Sequence, residues 1–348
     1  MKSVYIEYGL KDLRNRHSEL AVLTHQKEQE GSKNKSFKFI DLFAGIGGIR
    51  KAFEAQGGGC VFSSELDIYA QYTYYSNYGV VPFGDITQIQ EDEIPNHGIL
   101  CAGFPCQPFS HIGKREGFEH PTQGTMFHDI LRILEHKKTR VVFLENVLGL
   151  VHHDKGQTLA IILDELTNLG YKCHTTILNS SDFRVPQNRQ RFYLVGFLDD
   201  IDFSFPEPPG QKVNIGDYLE SNVSGFSISK HLQKSYLFKK DDGRPNLIDK
   251  NTKGPIKTLV STYHKIQRLT GTFVRDGETG LRLLTTNECK SVMGFPEDFV
   301  IPVSRTQMYR QMGNSVVISV IEAIAKEIVS SMELFDEGSS KVNQKYSN

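Results

Sequence analysis

The sequence has no tryptophan, only five cysteines, and no apolar run long enough to cross a membrane. An odd number of cysteines without close pairs argues against a disulfide framework and against a zinc site. The amino-terminal residues lack the pattern of a secretory signal peptide. We therefore expect a reducing compartment, by default the cytoplasm, and neither a metal nor a membrane as partner.

What the chain does contain is typical of a globular protein, except for one asymmetry in charge. Its 348 residues include 23% charged and 39% hydrophobic residues, and the formal net charge is −1. Between Gly225 and Leu283, however, twelve Lys/Arg face five Asp/Glu, a net charge of +7 that leaves −8 for the remainder. A basic segment on an acidic body indicates that a polyanion binds there. A solvated lysine-rich surface is the alternative explanation.

A glycine-rich turn follows the first clear strand pattern. Phe37 to Phe43 reads as a strand, Ala44-Gly45-Ile46-Gly47-Gly48 follows, and Ile49 to Ala55 has a helical pattern. Strand, glycine turn and helix open a nucleotide-binding βαβ unit, because glycines let a ligand approach the backbone and the helix offers free N–H groups. Arg50 stands where the dinucleotide fingerprint has a third glycine, which argues against NAD.

Two acids follow at predicted strand ends. Glu65 ends the strand Cys60 to Ser64, about twenty residues after the turn, where an acid commonly accepts hydrogen bonds from ribose hydroxyls. A helix amino-terminal charge is the alternative role for Glu65. Asp85, in Phe83-Gly84-Asp85-Ile86, is suited to accept a hydrogen bond from an adenine amino group. The turn and the two acids predict an adenosine-bearing ligand whose other end is not a pyrophosphate.

Cys106 stands just past the apolar strand that ends at Ala102, in Gly103-Phe104-Pro105-Cys106-Gln107-Pro108-Phe109-Ser110. Open α/β sheets bind ligands at the carboxyl ends of their strands, and Pro105 stiffens the turn. The glycines that follow predict a loop able to close over a site. A buried structural thiol is the alternative explanation for a lone cysteine.

Further candidates come from an acidic and an arginine motif. A near-continuous apolar strand, Arg140 to Leu144, delivers Glu145 at its carboxyl end, where it would face the same crevice as Cys106. A cap on the next turn is an equally good explanation. Arg189 and Arg191 alternate at strand period, so both can point to one face and bind a phosphate or a carbonyl oxygen. A surface ion pair is the commoner role of such arginines in general.

The residue pattern changes after Asp199, where a proline-rich stretch that ends at Gly210 marks a boundary. We predict an α/β fold with a doubly wound, mostly parallel sheet and a second, smaller and irregular domain. The predicted segments are an amino-terminal extension and linker (1–36), a catalytic domain (37–198), a recognition domain (199–283), a return to the catalytic domain (284–332) and a disordered tail (333–348).

Taken together, these motifs give a specific resemblance. Asp41-Leu42-Phe43-Ala44-Gly45-Ile46-Gly47-Gly48, Gly84-Asp85-Ile86, Pro105-Cys106-Gln107, Glu145-Asn146-Val147, Gln187-Asn188-Arg189-Gln190-Arg191 and Gly313-Asn314-Ser315 follow one another in the chain. In this order the sequence resembles the DNA (cytosine-5) methyltransferases of the bacterial restriction–modification type. The match covers Phe37 to about Phe197 and Arg282 to about Val329. In that family the intervening region recognises the DNA target, which is where the basic segment lies.

The resemblance implies site-specific methylation of cytosine C5 in double-stranded DNA. Cys106 would attack C6 of a cytosine flipped out of the duplex, and Glu145 would contact the amino group and N3. Arg191 would hold the cytosine O2, and Arg189 would brace the site. The enzyme would protect host DNA from a cognate restriction endonuclease, and we expect it to act as a monomer.

The resemblance also implies S-adenosyl-L-methionine as cofactor. Leu66 stands where relatives often have a stacking tryptophan, and Gln123 where they often have an arginine, so cofactor and loop contacts differ here. The implied cofactor residues are Phe43, Ala44, Gly45, Ile46, Gly47, Gly48, Glu65, Leu66, Asp85, Ile86, Pro105, Asn314 and Ser315. The implied DNA contacts are Ser110, Gly113, Lys114, Thr258 and Leu259.

Three other functions fit parts of the pattern. One branch of the resembled family methylates cytosine in tRNA, although the short basic segment between two matching halves favours DNA. A non-catalytic nucleic-acid binder would have no need for Cys106, Glu145 and Arg191 together. An NAD oxidoreductase is disfavoured by the glycine spacing.

Overall fold

The computed structural model describes residues 7–105 and 126–346, with side chains described up to 337. The helices are α1 Leu10–Gly31, α2 Gly48–Ala55, α3 Ile68–Tyr78, α4 Met126–Lys137, α5 Gly149–His152, α6 Gln157–Asn168, α7 Lys230–Leu232, α8 Thr286–Met293, α9 Arg305–Asn314 and α10 Ile318–Tyr346. The strands are β1 Phe37–Leu42, β2 Gly58–Ser64, β3 Ile99–Ala102, β4 Val141–Val147, β5 Lys172–Asn179, β6 Gln190–Phe197, β7 Asn246–Ile248 and β8 Thr272–Val274. Within these described ranges, no helix is both long and apolar enough to span a bilayer.

The first six strands form one sheet in the order β2-β1-β3-β4-β6-β5. Strands β1 to β4 pair in parallel, whereas β6 runs antiparallel to β4. The chain leaves β1 toward β2 on one side and returns as β3 on the other, so the strand order reverses between β1 and β3. This reversal opens a crevice at the carboxyl ends of the two strands. The predicted doubly wound, mostly parallel sheet is confirmed.

Continuous apolar runs explain why the central strands lie in the middle of the sheet. All four residues of β3, and all of β4 except Val147, are buried, as expected for parallel strands covered on both faces. The rings of Phe53 and Phe143 lie 5.5 Å apart, and Phe143 stacks on Tyr193 of β6. The core therefore fixes β1, β3, β4 and β6 against each other and sets where their carboxyl ends emerge.

The amino-terminal segment differs from the predicted linker, because most of it is α1. Leu13 and Leu20 are fully buried and pack with Tyr75 and Val81. His25 is also buried; Ser63 donates its backbone N–H to Nε2 at 3.1 Å, and Nδ1 lies 2.9 Å from the Ala21 carbonyl. The weak apolar period of this stretch understated how much of it is buried.

The chain separates into two compact units, and their bounds differ from the predicted domains. One unit comprises 179–189 and 208–319, and the other comprises 6–178, 190–207 and 320–348. The predicted recognition domain covered 199–283, whereas this unit resumes at 208 and continues to 319. The stretch 179–189 joins the unit of 208–319 through two backbone hydrogen bonds. The Asn188 N–H donates to the Ile256 carbonyl at 2.8 Å, and the Ile256 N–H donates to the Pro186 carbonyl at 2.9 Å. These backbone bonds cannot be read from local sequence.

The carboxyl-terminal segment also differs from the predicted disordered tail, since α10 continues to Tyr346. Ile321, Ile324 and Ile328 are fully buried along one face of this helix. Arg140, at the start of β4, donates to both carboxylate oxygens of Asp336, at 2.6 and 3.0 Å. The apolar face and the ion pair hold the helix well past residue 333.

The burial of His25 predicts a pH-dependent loss of stability. Burial lowers its pKa from about 6.5 to about 3, so the unfolded chain binds the proton more tightly. The stabilisation is complete above about pH 6.5 and is lost as the pH falls toward 3, by up to about 1.4 kcal/mol per pH unit. His25→Gln should flatten the pH dependence of the thermal midpoint between pH 4 and 6.5. His97, which is half-buried and has its pKa lowered to about 4 by desolvation, will retain part of the slope.

The matched control is His152→Gln, at an exposed position on α5. It should keep the wild-type slope. An equal slope in His25→Gln and wild type would contradict a buried neutral imidazole at position 25.

Candidate functional site

The glycine turn after β1 has a shape that favours glycine at two positions. Gly45 and Gly47 adopt positive φ of 56° and 85°. A Cβ on Gly47 would lie 2.3 Å from the ring of Tyr78, so the residue must be glycine for steric reasons as well. A Cβ on Gly45 would meet nothing within 4 Å, so that position borders open space. The turn therefore presents a bare backbone at the carboxyl end of β1, followed directly by α2.

Glu65 joins this turn to the end of β2. Its Oε2 accepts a hydrogen bond from the Gly45 backbone N–H at 2.8 Å, and its Oε1 accepts one from Asp67 at 2.7 Å. Burial raises the pKa of this carboxyl. Because each carboxylate oxygen can accept two hydrogen bonds, Glu65 keeps the capacity to bind hydroxyl groups of a ligand.

The neighbouring predicted cofactor residues extend the same edge. The Glu65 backbone N–H donates to the Phe83 carbonyl at 2.8 Å, which brings Asp85 and Ile86 next to the end of β2. Asp85 accepts from Thr87 N–H at 3.0 Å and so caps the following turn. Leu66 is 73% exposed, an unusual fraction for a leucine beside a buried carboxyl. Phe43 is half-buried against the sheet core.

A second cluster lies at the carboxyl ends of β3 and β4. The Asn146 side chain donates to the Phe104 carbonyl at 2.9 Å, so β4 fixes the chain that leaves β3. A Cβ on Gly103 would lie 3.7 Å from Oε2 of Glu145. On its other oxygen, Glu145 pairs with Nε of Arg191 at 3.2 Å. Glu145, Arg191 and the backbone of Gly103 therefore lie close together.

Four predicted residues lie outside the described part of the chain: Cys106, Ser110, Gly113 and Lys114. Pro105, which is exposed, is the last described residue before them. The cluster thus holds the backbone up to the position directly before Cys106. Its chemistry is that of a carboxylate acceptor beside a guanidinium donor, a pair that can bind complementary donor and acceptor groups on the edge of a heterocyclic base.

Arg189 has a different role from Arg191, although the strand period predicted that both could point to one face. Its guanidinium is buried and donates to three carbonyls, those of Leu259 at 3.0 Å, Gly313 at 3.0 Å and Ser315 at 2.6 Å. These contacts favour a positioning role, in line with the bracing role that the resemblance implies, although Arg189 was grouped with the predicted catalytic residues. The partners of these two arginines determine their roles, and the alternating sequence pattern does not reveal those partners.

Arg189 and Gln187 together fix the predicted DNA-binding pair. Gln187 accepts the backbone N–H of Leu259 at 2.6 Å, while Arg189 binds the carbonyl of the same residue. The Thr258 hydroxyl donates to the Asn188 carbonyl at 2.7 Å. Gln187 was not singled out as functional from sequence, although it opens the arginine motif.

The Gly313-Asn314-Ser315 motif ends α9 within the same unit. A Cβ on Gly313 would lie 2.0 Å from the backbone nitrogen of Ser261, so only glycine permits this contact. Asn314 is exposed, whereas Ser315 is buried. The backbone at Val260 and Ser261 therefore packs directly against the end of α9 at Gly313.

Comparisons with known proteins agree with this arrangement. The family model described as C-5 cytosine-specific DNA methylase matches residues 37–330. The chain is 64% identical over 343 residues to the type II methyltransferase M.MspI of Moraxella sp, covering 98% of this chain and 82% of that protein. It is 55% identical over 304 residues to M.BsuFI of Bacillus subtilis, covering 86% and 73% respectively.

Solved structures share the fold. A mutant of Spodoptera frugiperda DNMT2 superposes with a TM-score of 0.70 at 22% identity, over 84% of this chain and 100% of that chain. The Entamoeba histolytica methyltransferase EhMeth gives a TM-score of 0.68 at 22% identity, over 86% and 99%. At these identities the likeness concerns the fold alone.

The three bonds of Arg189 predict that even a lysine will not replace it. In Arg189→Lys one ammonium cannot satisfy three separated carbonyls, and a buried carbonyl left without a donor costs about 1–3 kcal/mol. We expect the thermal midpoint to fall by several degrees. Arg310→Lys, on the exposed face of α9, is the control and should melt as wild type does. A wild-type midpoint for Arg189→Lys would refute the positioning role.

Proposed function

Because this chain belongs to the C-5 cytosine-specific DNA methylase family, we propose that it methylates a flipped cytosine of double-stranded DNA, with Cys106 as nucleophile and S-adenosylmethionine as methyl donor. The observation that carries this proposal is the place of the Glu145–Arg191 pair. It lies against Gly103, three residues before Cys106 along a chain whose course is held by Asn146. A base bound by the pair would be within reach of the Cys106 thiolate.

Cytosine chemistry explains why these residue types are needed. C5 of the intact ring is a poor nucleophile, so the Cys106 thiolate first forms a bond to C6. The electron pair displaced from the C5–C6 bond passes into the ring, where Glu145 stabilises it by hydrogen bonding or proton donation at N3. Arg191 would bind O2 and would also stabilise the negative charge that develops on the ring. C5 would then form a bond to the methyl group that the bound donor supplies, and the electron pair of the broken methyl–sulfur bond would stay on the donor's sulfur. Loss of the C5 proton to a base and departure of the thiolate from C6 would restore the aromatic ring.

The first cluster fits S-adenosylmethionine. Gly45 borders open space, and Glu65 has acceptor capacity directed at the same turn. We assign Glu65 to the ribose hydroxyls, Asp85 to the adenine amino group, and the exposed side chain of Leu66 to the surface that the adenosine covers. Asn314 and Ser315 complete the predicted set. When bound, the cofactor supplies a methyl group made electrophilic by its sulfonium.

DNA must be distorted for this reaction, because C6 of a stacked, paired cytosine is not accessible to a side chain. The predicted loop contacts Ser110, Gly113 and Lys114 would close over the flipped base. The unit that contains the basic segment would bind the surrounding duplex, since phosphate neutralisation supplies most of the affinity. Thr258 would contact the DNA that this unit binds, whereas the Leu259 side chain, which is only 2% exposed, would hold Thr258 in place rather than touch DNA.

The type II methyltransferases to which the chain is similar suggest its biological setting. We propose that methylation protects bacterial DNA from a restriction endonuclease that reads the same sequence, and that the enzyme acts as a monomer in the bacterial cytoplasm.

Replacement of Cys106 tests the proposed reaction. Cys106→Ser should reduce transfer of labelled methyl groups to unmethylated duplex DNA to background, because a serine hydroxyl is not ionised at neutral pH. DNA binding in a gel-shift assay should persist, since phosphates dominate affinity. Cys173→Ser, at a half-buried cysteine on β5, should keep full activity. Full activity in Cys106→Ser would remove it as the nucleophile, and transfer to tRNA rather than DNA would change the substrate.

Glu145→Gln tests the acidic member of the site. The amide keeps the shape of the side chain but cannot donate a proton to N3, so kcat should fall by about 10²–10⁴-fold while DNA affinity changes little. Glu135→Gln, on the exposed face of α4, is the matched control. An unchanged kcat in Glu145→Gln would exclude its assigned role.

A further inference from the structure

Two large apolar side chains are exposed on the basic segment. Phe238 is 46% exposed and Leu269 is 57% exposed. Exposed apolar groups that lie together often mark an interaction surface. Both residues belong to the unit that comprises 179–189 and 208–319, and each directly follows a residue of one hydrogen-bonded cluster.

The centre of that cluster is Arg268, whose side chain is buried although the residue lies in an irregular segment. It is 5% exposed, and its guanidinium donates to the carbonyls of Leu237 at 2.9 Å and Lys240 at 3.1 Å. It also pairs with the carboxylate of Asp242. The Arg268 backbone N–H donates to the Tyr236 hydroxyl at 3.3 Å. Arg268 thereby ties residues 236–242 to the segment that carries Leu269.

The backbone before Phe238 has an unusual conformation. Gln233–Leu237 forms a π-helical turn, a conformation that is rare and frequent at functional sites. Its buried member Leu237 anchors the turn, and Phe238, which follows directly, is left outside. An apolar ring is thus held at a defined surface position by a buried guanidinium.

Basic residues are frequent in the two segments that carry the apolar groups. Between residues 230 and 244 there are five Lys/Arg and two Asp, and one of those aspartates, Asp242, is already paired with Arg268. Lys239 and Lys240 directly follow Phe238 in the chain and are exposed, as is Lys265 on the other segment. The Lys239 ammonium lies 5.5 Å from the centre of the Tyr236 ring. We call Tyr236–Lys240, Lys265 and Leu269 the Arg268 surface.

We propose that the Arg268 surface is a sequence-reading contact with target DNA, in which Phe238 and Leu269 touch base edges or a base step while the lysines bind phosphates. The proposal rests on the proposed function and names residues that select the substrate of that reaction. Apolar side chains distinguish bases through the thymine methyl group or by insertion at deformable steps. Lysines bind any phosphate and therefore add affinity without sequence information.

Charge decides between DNA and a second copy of the chain as occupant. Two copies of this surface would bring like-charged lysines together around a small apolar centre, which is unfavourable. A polyanion instead gains from each lysine and covers the two apolar groups at the same time. The basic surface is thus complementary to DNA and not to itself.

The test uses the full chain and compares three variants. Phe238→Ala/Leu269→Ala removes the apolar contacts, and Lys239→Ala/Lys240→Ala removes two charges. Leu334→Ala is the matched control, because Leu334 is 72% exposed on α10 in the other unit. Each variant is melted first; exposed substitutions should leave the midpoint unchanged, and Phe238→Tyr, which keeps the ring, serves if the double variant melts early.

The readouts are kcat/KM on unmethylated plasmid DNA, bisulfite sequencing of the product, and the salt dependence of DNA binding. Loss of the apolar pair should lower kcat/KM by about tenfold or more, comparable to a mismatched base pair, and should spread methylation to additional sequence contexts. Its salt slope should equal that of wild type. Loss of the two lysines should reduce that slope by up to about two without changing the methylated sequence.

The outcomes separate this inference from the proposed function. A wild-type chain that methylates DNA, together with an apolar double variant that matches Leu334→Ala in rate and sequence context, would overturn the inference alone. A wild-type chain that does not methylate DNA would overturn the proposed function. A concentration-dependent dimer in sedimentation that disappears in the apolar variant would assign the surface to a second copy and would also overturn the inference.

Discussion

The hydrogen bond from the Asn146 side chain to the Phe104 carbonyl is the contact on which the catalytic arrangement depends. It joins the chain that leaves β3 to the residue that follows Glu145 at the end of β4. Because β3 and β4 are buried and paired in parallel, their ends cannot shift separately. The backbone before Cys106 is therefore delivered to the side of Glu145, where Arg191 from antiparallel β6 also arrives.

Two further sets of hydrogen bonds, each within one unit, fix backbone groups in a similar way. Glu65 closes the glycine turn by accepting the Gly45 N–H, so the carboxylate and the bare backbone hold a fixed geometry. In the other unit Gln187 and Arg189 hold both backbone groups of Leu259, and Arg189 also holds the carbonyls around Asn314. Side chains that bind main-chain groups thus set the positions of the residues that we propose as cofactor and DNA contacts.

Sequence reasoning reached those features that local pattern encodes. The apolar runs of β1, β3 and β4 and the glycine turn follow from period and turn chemistry. It did not reach features that depend on tertiary partners. Arg189 and Arg191 look alike in the chain but bind different groups. The burial of α1 depends on contacts with Val81 and Ser63, and the ion pair that anchors α10 at Asp336 depends on Arg140; these partners are distant in sequence.

The central claim is that the carboxyl ends of β3 and β4 deliver a thiolate at position 106 to a cytosine held by Glu145 and Arg191. Incubation with duplex DNA that carries 5-fluorocytosine at the methylated position, in the presence of S-adenosylmethionine, tests it most directly, because fluorine at C5 cannot leave as a proton does. The account predicts a stable protein–DNA adduct that peptide mass spectrometry locates on Cys106. Turnover of the unsubstituted duplex without any such adduct, or an adduct on another residue, would contradict it.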